Sequence, residues 1–132
     1  MSEIPAGHTL INLADVEDVA PANGFGERWE ARVARDRLDA EQTGLTHFLL
    51  RPGKRSPFAH RHSRAEEVYL ILRGSGRVKL DDEFVDVRTL DAVRVGPRVA
   101  RAFEAGPDGL EFIAFGPHYE ADGEPIDDAW VR

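Results

Sequence analysis

Two histidines one residue apart, His60 and His62, followed by Glu67, are the residues whose types and spacing point to metal chemistry. On an extended strand, positions i and i+2 share a face and stand about 6.6 Å apart, at roughly 3.3 Å per residue. That separation lets two neutral imidazole nitrogens converge on one first-row divalent ion. Glu67 follows the four-residue segment Ser63-Arg64-Ala65-Glu66, so a hairpin would carry its carboxylate to the same point. Two imidazoles and a carboxylate suit Fe(II), Mn(II), Ni(II), Zn(II) or Cu(II) better than Mg or Ca. Glu66 is adjacent, and strand geometry sends the two carboxylates to opposite faces.

The elements that must position these residues read as short strands. From Gly44 onward, turn signals recur every few residues: Pro52-Gly53, Gly74-Ser75-Gly76, Asp81-Asp82, Gly96-Pro97, Gly106-Pro107-Asp108-Gly109 and Gly116-Pro117. Segments rich in Val, Ile, Leu, Phe and Tyr lie between them, the pattern of an all-β sandwich or barrel. Val68 to Leu72 is continuously apolar and predicts burial on both faces. Arg77 to Leu80 and Val85 to Arg88 alternate, and each predicts one wet face. Gly74-Ser75-Gly76 is expected as a hairpin turn, with Arg73, Arg77, Lys79 and Asp81-Asp82-Glu83 as a solvated hairpin. Arg28 to Leu38 fits an amphipathic helix or a strand with Trp29, Ala31 and Val33 on one side, and an all-β domain favours the strand. The acidic tail after His118 is expected to hug the surface with Trp130 tucked in.

Composition narrows the function. The chain has 132 residues, enough for one core and too few for two ordinary domains. Its net charge of −7 argues against a nucleic-acid partner, which calls for a cationic face. The absence of cysteine excludes disulfides, thiolate metal sites and a cysteine nucleophile. The first residues lack a basic and an apolar region, and no apolar run reaches the roughly 20 residues of a membrane helix, so a cytoplasmic protein without a membrane partner is expected. No nucleophile-elbow, phosphate-loop or dinucleotide glycine motif is present.

The stretch from Gly53 to Gly74 resembles the first signature motif of the cupin superfamily, Gly-x5-His-x-His-x3or4-Glu-x6-Gly. Here Gly53 is followed by six residues, then His60-x-His62, four residues, Glu67, six residues and Gly74. Only the first gap departs, by one residue. The second motif, Gly-x5-Pro-x-Gly-x2-His-x3-Asn, finds a degraded counterpart in Leu90 to Gly106. Arg101 stands where the family places its fourth metal ligand, a His, and the closing Asn is absent.

The resemblance implies an all-β, single-domain cupin, a double-stranded β-helix or jelly-roll barrel. Its core would span about 44–116, with an N-terminal arm 1–43 and a C-terminal extension 117–132. His60, His62 and Glu67 would hold a divalent transition metal. Arg101 would then either anchor an anionic substrate group or pair with Glu67 in the charge position of the ion. Tyr69, on Glu67's strand face, and His47, in the preceding strand, are the further candidates for lining the pocket. Phe58, Phe103 and Phe112 are expected as packing, and His8 and His118 as surface residues. The implied function is binding or transforming a small polar metabolite in the barrel mouth, by a dioxygenase or sugar isomerase or epimerase if the protein is an enzyme. The alternative is a metal-free binding or sensing module closed by Arg101 and Glu67. A homodimer is also expected, with Ile4 to Val16 as an exchanged strand.

Overall fold

The computed structural model describes residues 7–126. Ile4 and Trp130 lie outside them. Within that range eight strands run in sequence: β1 (Trp29–Val33), β2 (Thr43–Leu50), β3 (Ala59–His62), β4 (Glu67–Leu80), β5 (Glu83–Arg88), β6 (Ala92–Val95), β7 (Arg101–Pro117) and β8 (Gly123–Ile126). Two 3-10 turns, Leu13–Asp15 and Pro21–Asn23, precede β1. Gly7 to Val16 therefore contains no strand, and Leu10 is exposed. No helix is long and apolar enough to cross a membrane.

All pairings are antiparallel, and the two long strands organise them. The first half of β4 pairs with β6 and with the second half of β7, which continues through β2 to β1. The second half of β4 pairs with β5 and with the first half of β7, and β7 meets β3, which carries β8 at its edge. The result is one curled sheet whose two halves share β4 and β7 and enclose the core. Inward positions alternate as the pleat requires, and on β4 and β7 they change parity across the register shifts. Trp29 and Ala31 come from β1, Tyr69, Ile71 and Val78 from β4, and Phe103, Leu110, Phe112 and Ala114 from β7. Phe103 stacks on Phe112 with ring centroids 4.3 Å apart.

Several local expectations change. The Arg28 to Leu38 segment does supply a strand, Trp29–Val33, with Trp29 and Ala31 buried, yet Val33 is exposed. Val68 and Leu70 are only half-buried, because they face outward while Tyr69 and Ile71 fill the core. Gly74-Ser75-Gly76 is no hairpin turn. β4 runs through it, with register shifts against β7 between Ile71 and Arg73 and between Gly74 and Gly76. A Cβ on Gly76 would lie 2.1 Å from the Glu104 carbonyl oxygen, and one on Gly74 (φ +88) would lie 2.1 Å from that of Gly109. Gly106 to Gly109 is likewise internal to β7. Glycine marks turns and close strand crossings alike, so composition alone cannot separate them. The Asp81-Asp82 hairpin between β4 and β5 does form, whereas Lys79 is buried rather than solvated.

Candidate metal centre

β3 places His60 and His62 on the inner face, while Arg61 between them points outward to Glu124. The two imidazoles stand edge to face, 5.2 Å apart at 87°. The turn to β4 is held by the Asp122 carboxylate, which accepts hydrogen bonds from the backbone N–H of Arg64 (2.9 Å) and Ala65 (3.0 Å). Arg98 N–H also donates to the His62 carbonyl at 2.6 Å. So fixed, the chain re-enters the barrel with Glu67 pointing inward. Glu66 remains exposed, 3.8 Å from Arg94.

The site converges on one carboxylate oxygen. Glu67 Oε1 lies 3.5 Å from His60 Nε2, 3.7 Å from His62 Nε2 and 3.8 Å from Arg101 Nη1. Tyr69 donates its hydroxyl hydrogen bond to the same oxygen. One ligand atom each from His60, His62 and Glu67 lies within 4.8 Å of the others. Behind His62, its Nδ1 is 3.3 Å from Asp122 Oδ2, a near approach that lacks hydrogen-bond alignment. Arg101 is buried where β7 faces His60 on β3. Its Nη2 donates to the Gly96 carbonyl at 3.3 Å, while Nε and Nη1 have no hydrogen-bond partner.

The electrostatics follow from this crowding. Burial pushes the Glu67 carboxyl up, but hydrogen bonds from His60, His62 and Tyr69 outweigh it and hold the group well below the usual carboxylate range. Burial, together with the adjacent Glu67 carboxylate, raises the Tyr69 hydroxyl far above its ordinary value. Tyr69 is thus a fixed donor that aims Glu67. Asp122 is also held low, since the Ala65 and Arg64 amides and His62 offset its desolvation.

The donor set fits a transition ion. Both Nε2 atoms face the carboxylate, and a carboxylate behind His62 is the arrangement that orients a ligating imidazole. Arg101 opposes a dication by Coulomb repulsion. Glu67 and Asp122 together outweigh its single charge, so the three ligands can hold a metal ion.

Two cavities flank the cluster. One of about 320 Å³ reaches His62 and Glu67 and carries Arg35, Asp36 and His118. The other, about 390 Å³, reaches His60 and is walled by Phe25, Trp29, Phe48 and Phe58. Of the residues singled out in the sequence, His60, His62, Glu67, Tyr69 and Arg101 come together. His47 does not. Thr46 and Phe48 beside it turn inward, so His47 turns outward, where its Nε2 lies 2.7 Å from Glu111 Oε2. Phe58 lines a cavity rather than serving as packing alone, and His118, though exposed, borders the other. Asp122 had no signal in the sequence beyond its place before Gly123 in an acidic tail. The lining beside His60 also differs from what a purely polar metabolite requires.

A family model for the cupin domain matches residues 46–115. No curated protein sequence matches the chain. Among solved structures, a cupin protein from Bacteroides fragilis is similar at 22% identity and TM-score 0.70, over 89% of each chain. A polyketide cyclase from Streptomyces resistomycificus is similar at 19% identity and TM-score 0.73, over 92% of this chain and 89% of that one. A single-substitution variant of oxalate decarboxylase from B. subtilis is similar at 20% identity and TM-score 0.75, over 98% of this chain and 35% of that longer one.

Proposed function

This chain belongs to the cupin domain family, and from that premise we propose that it is a metal-binding cupin that binds or transforms a small molecule in the barrel mouth. The observation that carries the proposal is the convergence of His60, His62 and Glu67 within 4.8 Å, between two open cavities. A bound divalent transition ion would supply Lewis acidity toward a ligand oxygen. The protein's own groups do the rest. Tyr69 donates to Glu67 and holds it ionised and oriented. Asp122 braces the turn and backs the His62 ring. Arg101 brings a buried positive charge with two unused N–H groups toward the same oxygen, suited to a negative charge on a bound ligand. The names of the similar structures span a cyclase and a decarboxylase, so the reaction class is left open.

A second function is favoured by one specific distance. Arg101 Nη1 stands 3.8 Å from Glu67 Oε1, where a guanidinium can take the charge position of an ion. The protein would then be a metal-free binding or sensing module. Elemental analysis of untagged protein purified without chelator separates the two. Near-stoichiometric metal, lost in an H60A/H62A variant, is expected. Metal-free protein in both forms supports the second function, and R101H that gains metal would assign the exclusion to Arg101. We also propose that the protein is cytoplasmic and dimeric, and a single monomeric mass by light scattering would overturn the dimer.

A further inference from the structure

We infer that the ligand of this barrel carries a flat apolar ring system, seated against a wall of Phe25, Trp29, Phe48 and Phe58, with one polar edge turned to His60. The inference rests on the barrel mouth being a small-molecule site, but not on the metal.

The four rings come from separate parts of the chain. Phe25 precedes β1, Trp29 opens β1, Phe48 lies in β2 and Phe58 stands just before β3. They meet as a corner rather than a stack. Trp29 and Phe48 are 4.7 Å apart and tilted by 34°, Trp29 and Phe58 are edge-on at 82°, and Phe25 meets Phe58 at 5.7 Å. Phe25, Phe48 and Phe58 pack against the core, Phe48 stacking on Phe112 at 5.1 Å, yet each is only half-buried and keeps a surface toward the cavity. The wall continues into the metal cluster, because the His60 ring lies edge-on to Phe58 at 6.5 Å.

The lining decides the chemical class. Besides His60, the polar side chains along this cavity are Asn23 and Thr46, and no Arg, Lys, Asp or Glu lines it among the described residues. A phosphate or polyol placed there would lose its water and find almost no partner. An aromatic or alicyclic ring gains by leaving water and by ring contacts with the walls. The cavity's volume of about 390 Å³ falls in the range of small-molecule sites. The neighbouring cavity, by contrast, holds charged groups, Arg35, Asp36 and Glu67, beside His118. Val33 and Thr46 line both cavities, so a ring-bearing ligand meets charge only at its far edge.

Isothermal titration of the intact protein with 2-naphthol, and separately with glucose 6-phosphate, tests the inference. Metal content is measured on the same samples before and after chelation. One-to-one binding of 2-naphthol is expected, weakened at least about tenfold by F58S and by V33K, with no competition from glucose 6-phosphate. Val33 is 52% exposed at the rim, so V33K tests the cavity without burdening the core. Absent 2-naphthol binding, binding untouched by both substitutions, or tighter binding of glucose 6-phosphate overturns the inference. Naphthol binding by protein that holds no metal supports the ring-binding site and removes the metal proposal alone. Stoichiometric metal without naphthol binding does the reverse.

Discussion

The start and the middle of β4 solve opposite problems on one strand. At its start, Glu67 and Tyr69 crowd polar groups from β3 and β7 around a single oxygen. At its middle, Gly74 and Gly76 do their work by having no side chain, letting the backbones of β4 and β7 approach to where a Cβ would strike a carbonyl oxygen. The start holds like and unlike charges in a partly dry mouth, which costs stability unless every partner is present. The middle is tightly packed and carries no chemistry. The contrast indicates that the crossing supplies a rigid frame on which the mouth can keep groups poised for a ligand.

Adding a methyl group at the crossing is the most severe way to break that division. G76A is expected to destabilise the protein by about 3 kcal/mol, since the clash is with backbone rather than with a side chain that can move. Urea unfolding measures it, and a loss near zero would mean the crossing yields freely. At the start of β4, E67Q keeps the shape but leaves Arg101 buried without its carboxylate. A loss of about 2 kcal/mol is expected, because Glu67 is only partly buried and its contact with Arg101 is long. Metal uptake should disappear with it. An unchanged metal content in E67Q would remove Glu67 from the ligand set.

Milder changes sharpen the comparison within the mouth. D122N is expected to lower metal affinity at least about tenfold while His60, His62 and Glu67 all remain, which a competition titration with a chromogenic chelator reads. Affinity equal to the unaltered protein would reduce Asp122 to a brace of the turn. Acid should then act unevenly. Glu67, Glu104 and Glu111 are all held below their ordinary value of about 4.5. Folded-state values that are depressed mean stability is fully present above that pH and is lost as pH falls through the native values. E67Q should flatten this loss more than E104Q, whose carboxylate pairs with the more exposed Arg55 and Arg77. The smallest effect belongs to H47A, about 1 kcal/mol from the lost bond to Glu111. Its metal content should be unchanged, and a drop would return His47 to the site.

What could be read from residue order is what strand periodicity and short spacing control. His60-x-His62 had to share a face, and Glu66 and Glu67 had to part, because alternation fixes relative sidedness once a strand is granted, while the motif's six-residue gap to Gly74 chose Glu67. The cupin motif carried the fold class for the same reason, being a local pattern of ligands and turns. The two long strands were less legible, since Gly74-Ser75-Gly76 looks the same whether a chain reverses or crosses another closely.

Other features depended on which distant strands become neighbours. His47 had the right residue type, but its parity on β2 delivered it to Glu111 outside. Asp122, sixty residues beyond His62, reaches the site because β8 pairs with β3. Phe25, Trp29, Phe48 and Phe58 form one wall only after β1, β2 and β3 are assembled around it. Sequence by itself determined the grouping of His60, His62 and Glu67 and the all-β class, because both rest on patterns a few residues long. Tertiary structure alone decided what stands behind and beside that triad, because curling the sheet sets those neighbours.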